Sequence, residues 1–204
     1  MYNTKTAIET SNGTGYMPAG IHDNVSISNI RVDKSPNGND FLEISFEDEQ
    51  GRTVTETEWQ NKKGLWIKTD EDLQLRDNQQ FGRILQVINS IIPKEKQIDA
   101  ELNTFGEMIS WVKDQLTPYI PEKKKLRIKT VYDNKGYITT SHNGIFVEPM
   151  DTEKSKIEKL PRDRFERPVI ADKETAVDPL TSVNGSTLAN PSDSSINKTD
   201  DLPF

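Results

Sequence analysis

The chain has 204 residues, with 26 Lys and Arg against 33 Asp and Glu, a net charge of -7, 32% apolar residues and no cysteine. These values exclude disulfides and thiolate metal sites, and argue against a protein whose whole surface binds nucleic acid. No apolar run approaches the ~20 residues that a membrane span needs, and the polar opening MYNTKTAIETSNGTG carries no apolar signal stretch, so a cytoplasmic protein is expected.

Residues 1–15 read as a flexible arm, and 16–150 as a folded domain. The glycine-rich GTGYMPAG follows no strand and opens no helix, which makes it a flexible lead-in rather than a phosphate loop. In NVSISNIRV, Val25 and Ile27 alternate as in a strand, then Ile30 and Val32 do so in the opposite phase, as a bulge would produce. A turn centred on Asn37-Gly38 follows. FLEISFED alternates with Leu42, Ile44 and Phe46 on one face. RTVTETEW is a β-branched third strand whose register the pattern leaves open, and the three strands make an antiparallel meander.

The period then changes. Phe81, Ile84, Leu85, Ile88, Ile91 and Ile92 form a helical stripe ended by Pro93. Thr104-Phe-Gly-Glu107 is a capping box for a second helix, with Phe105, Met108, Ile109, Val112 and Leu116 inward and Pro118 closing it. Strands return in KLRIKTVYD, then YITT and GIFVEP after the turn DNKG. The order predicts a mainly β fold with a helical insertion: a five-stranded OB-type barrel with helices between strands 3 and 4. Residues 151–176 read as a charged linker in which Ile157, Leu160 and Phe165 can make a short docking contact. Residues 177–204 are too polar to offset their ordering entropy and are expected to be disordered.

Catalytic chemistry has little support. His22 and His142 stand alone, without a second ligand at metal spacing. Glu43, Glu47 and Glu49 lie on an exposed strand face and turn, where a metal-dependent DNA-processing site would have to be built from surface carboxylates. No cofactor is implied, and a non-enzymatic role is expected. The basic positions are better placed. Leu126 and Ile128 alternate with Lys125, Arg127 and Lys129, so a strand would point three cations outward, with Tyr132 and Tyr137 close by. Earlier, Trp59, Lys62, Lys63, Trp66 and Lys68 leave the third strand together. Cations beside flat apolar rings are what a single nucleic-acid strand requires, at ~1–3 kcal/mol per stacked base. Against this stands the plainer reading, in which lysines protect a sheet edge and the tryptophans belong to the core.

The sequence ends DDLPF, after a segment Asp178–Phe204 whose side chains carry four aspartates and one lysine. An aromatic side chain at the end of a polar stretch either folds back or is bound by another protein. Burying one such ring is worth ~1.5–3 kcal/mol, and charge-assisted hydrogen bonds to a basic rim add a similar amount, giving micromolar recruitment. This end resembles the C-terminal tip of bacterial and phage single-stranded DNA-binding proteins, an acidic run closing in Ile/Leu-Pro-Phe. The folded part is similar to phage-encoded members in YMPAGIHDNVSISNIRVDKSPNGNDFLEISFEDEQGR and VYDNKGY. Two departures stand out: two helices lie between strands 3 and 4, and only two aspartates precede the Leu-Pro-Phe. The resemblance implies an OB domain that covers single-stranded DNA in an infected bacterial host. It also implies a disordered tail whose tip, Asp200, Asp201, Leu202, Pro203 and Phe204, recruits replication, recombination or repair proteins. The oligomeric state stays open, self-association included. The competing expectation is a barrel-type protein adaptor, packaged in a virion or not, that binds no DNA.

Overall fold

The change of phase in the first strand is a real dislocation of the sheet. A computed structural model describes residues 15–168, in which β1 (Gly20–Lys34) pairs antiparallel with β2 (Asp40–Glu47), the register shifting between Ile27 and Asn29. The extra residue lets Val25, Ile27 and Ile30 all face the core despite their uneven spacing. A second shift between His22 and Val25, where Asn24 takes a positive φ of 59°, lets the first half of β1 pair with β4 (Leu126–Tyr132). One long bent strand therefore serves both halves of the sheet. The β1–β2 turn needs Gly38, at φ 75°, to close the Ser35–Asn39 hydrogen bonds.

β3 (Thr53–Trp59) pairs with β2 and turns Val54, Glu56 and Glu58 inward, with Thr53, Thr55, Thr57 and Trp59 on the other face. Its register was illegible because two of its three inward positions carry glutamates. Arg83 explains their burial. It reaches down from α1 (Asp70–Ile91) to donate to Glu56, and Gln80 one turn earlier donates to Glu58 Oε2 at 2.8 Å. The apolar stripe of α1 buries Ile84, Val87, Ile88 and Ile91. Its first turns are polar, opened by Thr69, whose hydroxyl accepts from Asp72 N–H. α2 (Phe105–Leu116) buries Met108, Ile109, Val112 and Leu116 behind the expected Thr104 cap.

The expected fifth strand is two pieces, β5 (Ile138–Thr140) and β6 (Val147–Pro149), both antiparallel to β4 on the edge that β1 leaves free. The six residues Ser141–Phe146 loop out between them, and only Lys129 bridges the gap, accepting from Ser141 N–H and donating to Phe146 C=O. Among the described residues the sheet has six strands in the order β3-β2-β1-β4-β5, with β6 beside β4. Its hydrogen-bonded ladder is open rather than a closed five-stranded barrel. β3 and β5, at its two ends, are bridged by side chains: Thr140 Oγ1 donates to Glu56, and Arg83 donates to Ser141 C=O at 2.7 Å.

Of the two flanks, the lead-in departs from the expected flexible segment, and 151–168 makes the docking contact expected of it over a longer stretch. The lead-in is pinned: Met17 is fully buried and donates to Thr53 C=O, while Gly15 C=O accepts from Thr53 N–H. The segment 151–168, read as linker, lies on the outer face of β4 as a strap. Ile157 is buried, Lys156 N–H donates to Glu148 Oε2, and Tyr132 N–H donates to Arg164 C=O. No described helix is long and apolar enough to cross a membrane. The arm 1–14, the remainder of the linker and the tail 177–204, with the tip Asp200–Phe204, lie outside the described residues.

Candidate nucleic-acid interface

The β4 cations do not form the expected outward row. Alternation is as read: Leu126 and Ile128 enter the core, and Arg127 and Lys129 point the other way. But the strap covers that face. Lys129 is 0% exposed, and its ammonium donates to Asp163 Oδ2 at 2.8 Å and to the carbonyls of Asn143 and Glu158. Arg127 is held between Asp23 (2.6 Å) and Glu148 (2.9 Å), and Lys125 reaches Glu49 at 3.1 Å. Charges spent in this way are poor phosphate ligands, because each acid must first be displaced. The acids that neutralise them sit far away in sequence, which no alternation pattern can reveal.

Asp163 anchors the strap. Burial alone would raise its carboxyl, but hydrogen bonds from Lys129, Leu160 N–H, Ser141 and Asn143 outweigh this and hold it down at about 2. The same carboxylate thus ties the looped-out residues after β5 to the strap.

The segment leaving β3 carries its rings on the surface. Trp59 is 45% exposed on the outer face, its ring 4.9 Å from that of Phe41 opposite on β2, with the Arg31 guanidinium 4.9 Å over Phe41. A cation and two rings therefore line up across three strands. Arg31 is itself paired to Glu43 at 2.7 Å, so it supports the rings more than it offers charge. Beyond Trp59 the chain turns sharply, Gly64 N–H donating to Ile67 C=O at 2.9 Å. Leu65 and Trp66 stand at that turn, 86% and 90% exposed, so neither belongs to the core. Lys62 reaches back to Asn39 Oδ1, and Lys63 pairs with Asp70. Among the described residues, Lys62 and Lys68 have no acidic partner. The first turn of α1, with Asp70, Glu71 and Asp72, follows directly and limits the positive potential here.

At the far end of β4 the DNKG turn is as expected, with Asp133 Oδ1 accepting from Lys135 and Tyr137 N–H. Tyr137 is 66% exposed on that turn. Tyr132 lies in a cleft of about 470 Å³ that the sequence did not foretell, because Arg162 and Arg164 of the strap line it. The alternation Arg162-Asp163-Arg164, with the acid buried, was the available signal; in a segment of balanced charge it reads as solvated polarity. His142 lines the same cleft, 4.0 Å from Glu56, its imidazole held below the usual range by burial and by Arg83. Among the described residues no group of His, Asp or Glu is arranged to hold a metal ion.

No known family model matches the chain, and no curated protein is significantly similar to it.

Proposed function

We propose that this chain is a non-enzymatic binder of single-stranded DNA, of the kind that phage-encoded proteins with an acidic Leu-Pro-Phe tip represent. In this reading the bent sheet is an OB-type barrel whose seam between β3 and β5 is closed by the Glu56–Thr140–Arg83 bracket instead of a ladder. The observation that carries the reading is Trp66: an indole left 90% exposed on a tight turn, beside Leu65 and between Lys62 and Lys68. Leu65 and Trp66, adjacent and both exposed, present apolar surface beside lysines, and exposed apolar surface rimmed by polar residues marks an interaction site. Stacked bases would cover Trp66 and Trp59 at ~1–3 kcal/mol each, with little sequence preference, since every base has a flat face. The tip Asp200, Asp201, Leu202, Pro203 and Phe204 would recruit replication or recombination proteins.

Few cations are free, so the salt dependence should be shallow: for about three or four phosphates, a log–log slope of roughly -2 to -3. The test is fluorescence anisotropy of labelled oligo-dT and of a duplex of equal length at two salt concentrations. Preference for the single strand with that slope supports the reading, and equal or absent binding overturns it. A barrel adaptor that binds protein only keeps one observation in its favour, the apolar pair Leu65 and Trp66, and absent DNA binding would select it.

A further inference from the structure

The cleft at the end of β4 is separate from the tryptophan segment in sequence and is built by other elements. Tyr132 comes from β4, Thr139 from β5, His142 from the looped-out residues, and Arg162 and Arg164 from the strap. Both arginines are exposed, and among the described residues neither has an acidic partner within ion-pair distance. Arg164 is oriented by Asn134, whose side-chain oxygen accepts from it. Between the two, Asp163 is pulled inward onto Lys129 and fixed by four hydrogen-bond donors. The buried ion pair therefore locks the backbone from which both guanidiniums project. Asp133 also lines the cleft, with its Oδ1 occupied in capping its own turn by accepting from Lys135 and Tyr137 N–H.

We propose that this cleft is a subsite for one nucleotide of a bound strand, with Arg162 and Arg164 taking its phosphate and the Tyr132 and His142 rings facing its base. Two guanidiniums on a rigid segment match a phosphodiester better than flexible lysines do, because their planar forks are pre-organised for its oxygens. A cleft of about 470 Å³ has room for a single nucleotide. Thr139 and Asn143 add hydrogen-bonding groups at its wall, so contact there need not be purely ionic. The strap, on this account, is part of the binding surface and the Lys129–Asp163 pair is its mount.

The inference rests on the single-strand reading, and the experiment separates the two. Oligo-dT is titrated into the full chain, into Arg162→Ala/Arg164→Ala and into Arg162→Lys/Arg164→Lys, following both anisotropy and tryptophan quenching across a salt series. The expected result is a loss of about tenfold or more in affinity for the alanine pair, and a salt slope shallower by roughly 0.7, the share of one phosphate on a single strand. The lysine pair should recover the slope but only part of the affinity. Wild-type quenching together with an unchanged slope in the alanine pair overturns the subsite and leaves the tryptophan reading standing. No quenching and no anisotropy change in the wild type overturns both. Both arginines are exposed, so the variants should melt with the wild type; a slope loss that the lysine pair does not recover overturns the phosphate assignment.

Discussion

Replacing Asp163 by asparagine removes one negative charge from a place where water cannot compensate. Lys129 and Asp163 side chains are both 0% exposed. In Asp163→Asn the ammonium keeps its two carbonyl acceptors but loses its counter-ion, and an unpaired buried charge of this kind costs about 3–5 kcal/mol. For a chain of this length each kcal/mol moves Tm by about 2–4 °C, so the loss is roughly 6–20 °C at neutral pH. The carboxyl is depressed in the fold, so its contribution is present above the unfolded value of 3.8 and is lost as pH falls toward about 2. Variant and wild type should therefore converge in acid. Thermal melts of the wild type, Asp163→Asn, Lys129→Met and the double variant, at neutral pH and near pH 3, complete a cycle. The double variant should be less damaged than the two single losses added together, because no charge is then stranded. Additive losses, or an Asp163→Asn variant within about 1 kcal/mol of wild type, would refute the claim that this pair holds the strap.

Burial and the neighbouring Glu56 push the Glu58 carboxyl up to about 7. A raised carboxyl stabilises the fold below the unfolded value of 4.5, and that advantage disappears as pH rises through about 7. Glu58→Gln should thus match wild type in acid and exceed it above neutrality, by at most on the order of 3 kcal/mol. His142, depressed, acts in the opposite direction near its own range, so the comparison is made as variant minus wild type at each pH; a flat difference contradicts the shift. Gly144 has a φ of +67°, and an added Cβ would meet Leu160 Cδ1 at 3.1 Å. Gly144→Ala should cost about 1–2 kcal/mol in urea unfolding, and an unchanged midpoint would show that the loop after β5 yields freely. Trp66→Ala should leave the unfolding free energy within about 0.5 kcal/mol of wild type while weakening oligo-dT binding by about fivefold or more, and a loss of fold instead would place that ring in the core.

Much of the fold was legible because it rests on local periodicity. The phase change at Ile27–Ile30 foretold a bulge, Asn37-Gly38 a hairpin, and Thr104 with Glu107 a helix start. What stayed hidden depends on partners distant in sequence. Glu56 and Glu58 defied alternation because Arg83 and Gln80 meet them from α1. Alternation turns the cations of β4 away from the core, but a strap with the composition of a linker roofs them, and its Asp163 takes the lysine expected to meet phosphate. The start of α1 was missed although Thr69 and Asp72 announce it, because its first turns carry no apolar stripe. Of the candidate site, the rings beyond β3 stand out in sequence beside their lysines, but the pattern leaves open whether they belong to the core, and only the fold places Trp66 in solvent. The arginines of the cleft were not legible, since their value comes from where Asp163 anchors them.

The most direct measurement uses Trp66 as its own reporter. With Trp59 and Trp111 changed to phenylalanine, the remaining indole is titrated with oligo-dT at low and raised salt. The account predicts strong saturable quenching with a blue shift, matched in affinity by anisotropy, and absent with duplex DNA. Emission that stays that of a water-exposed indole while DNA binds, or no binding at all, contradicts it.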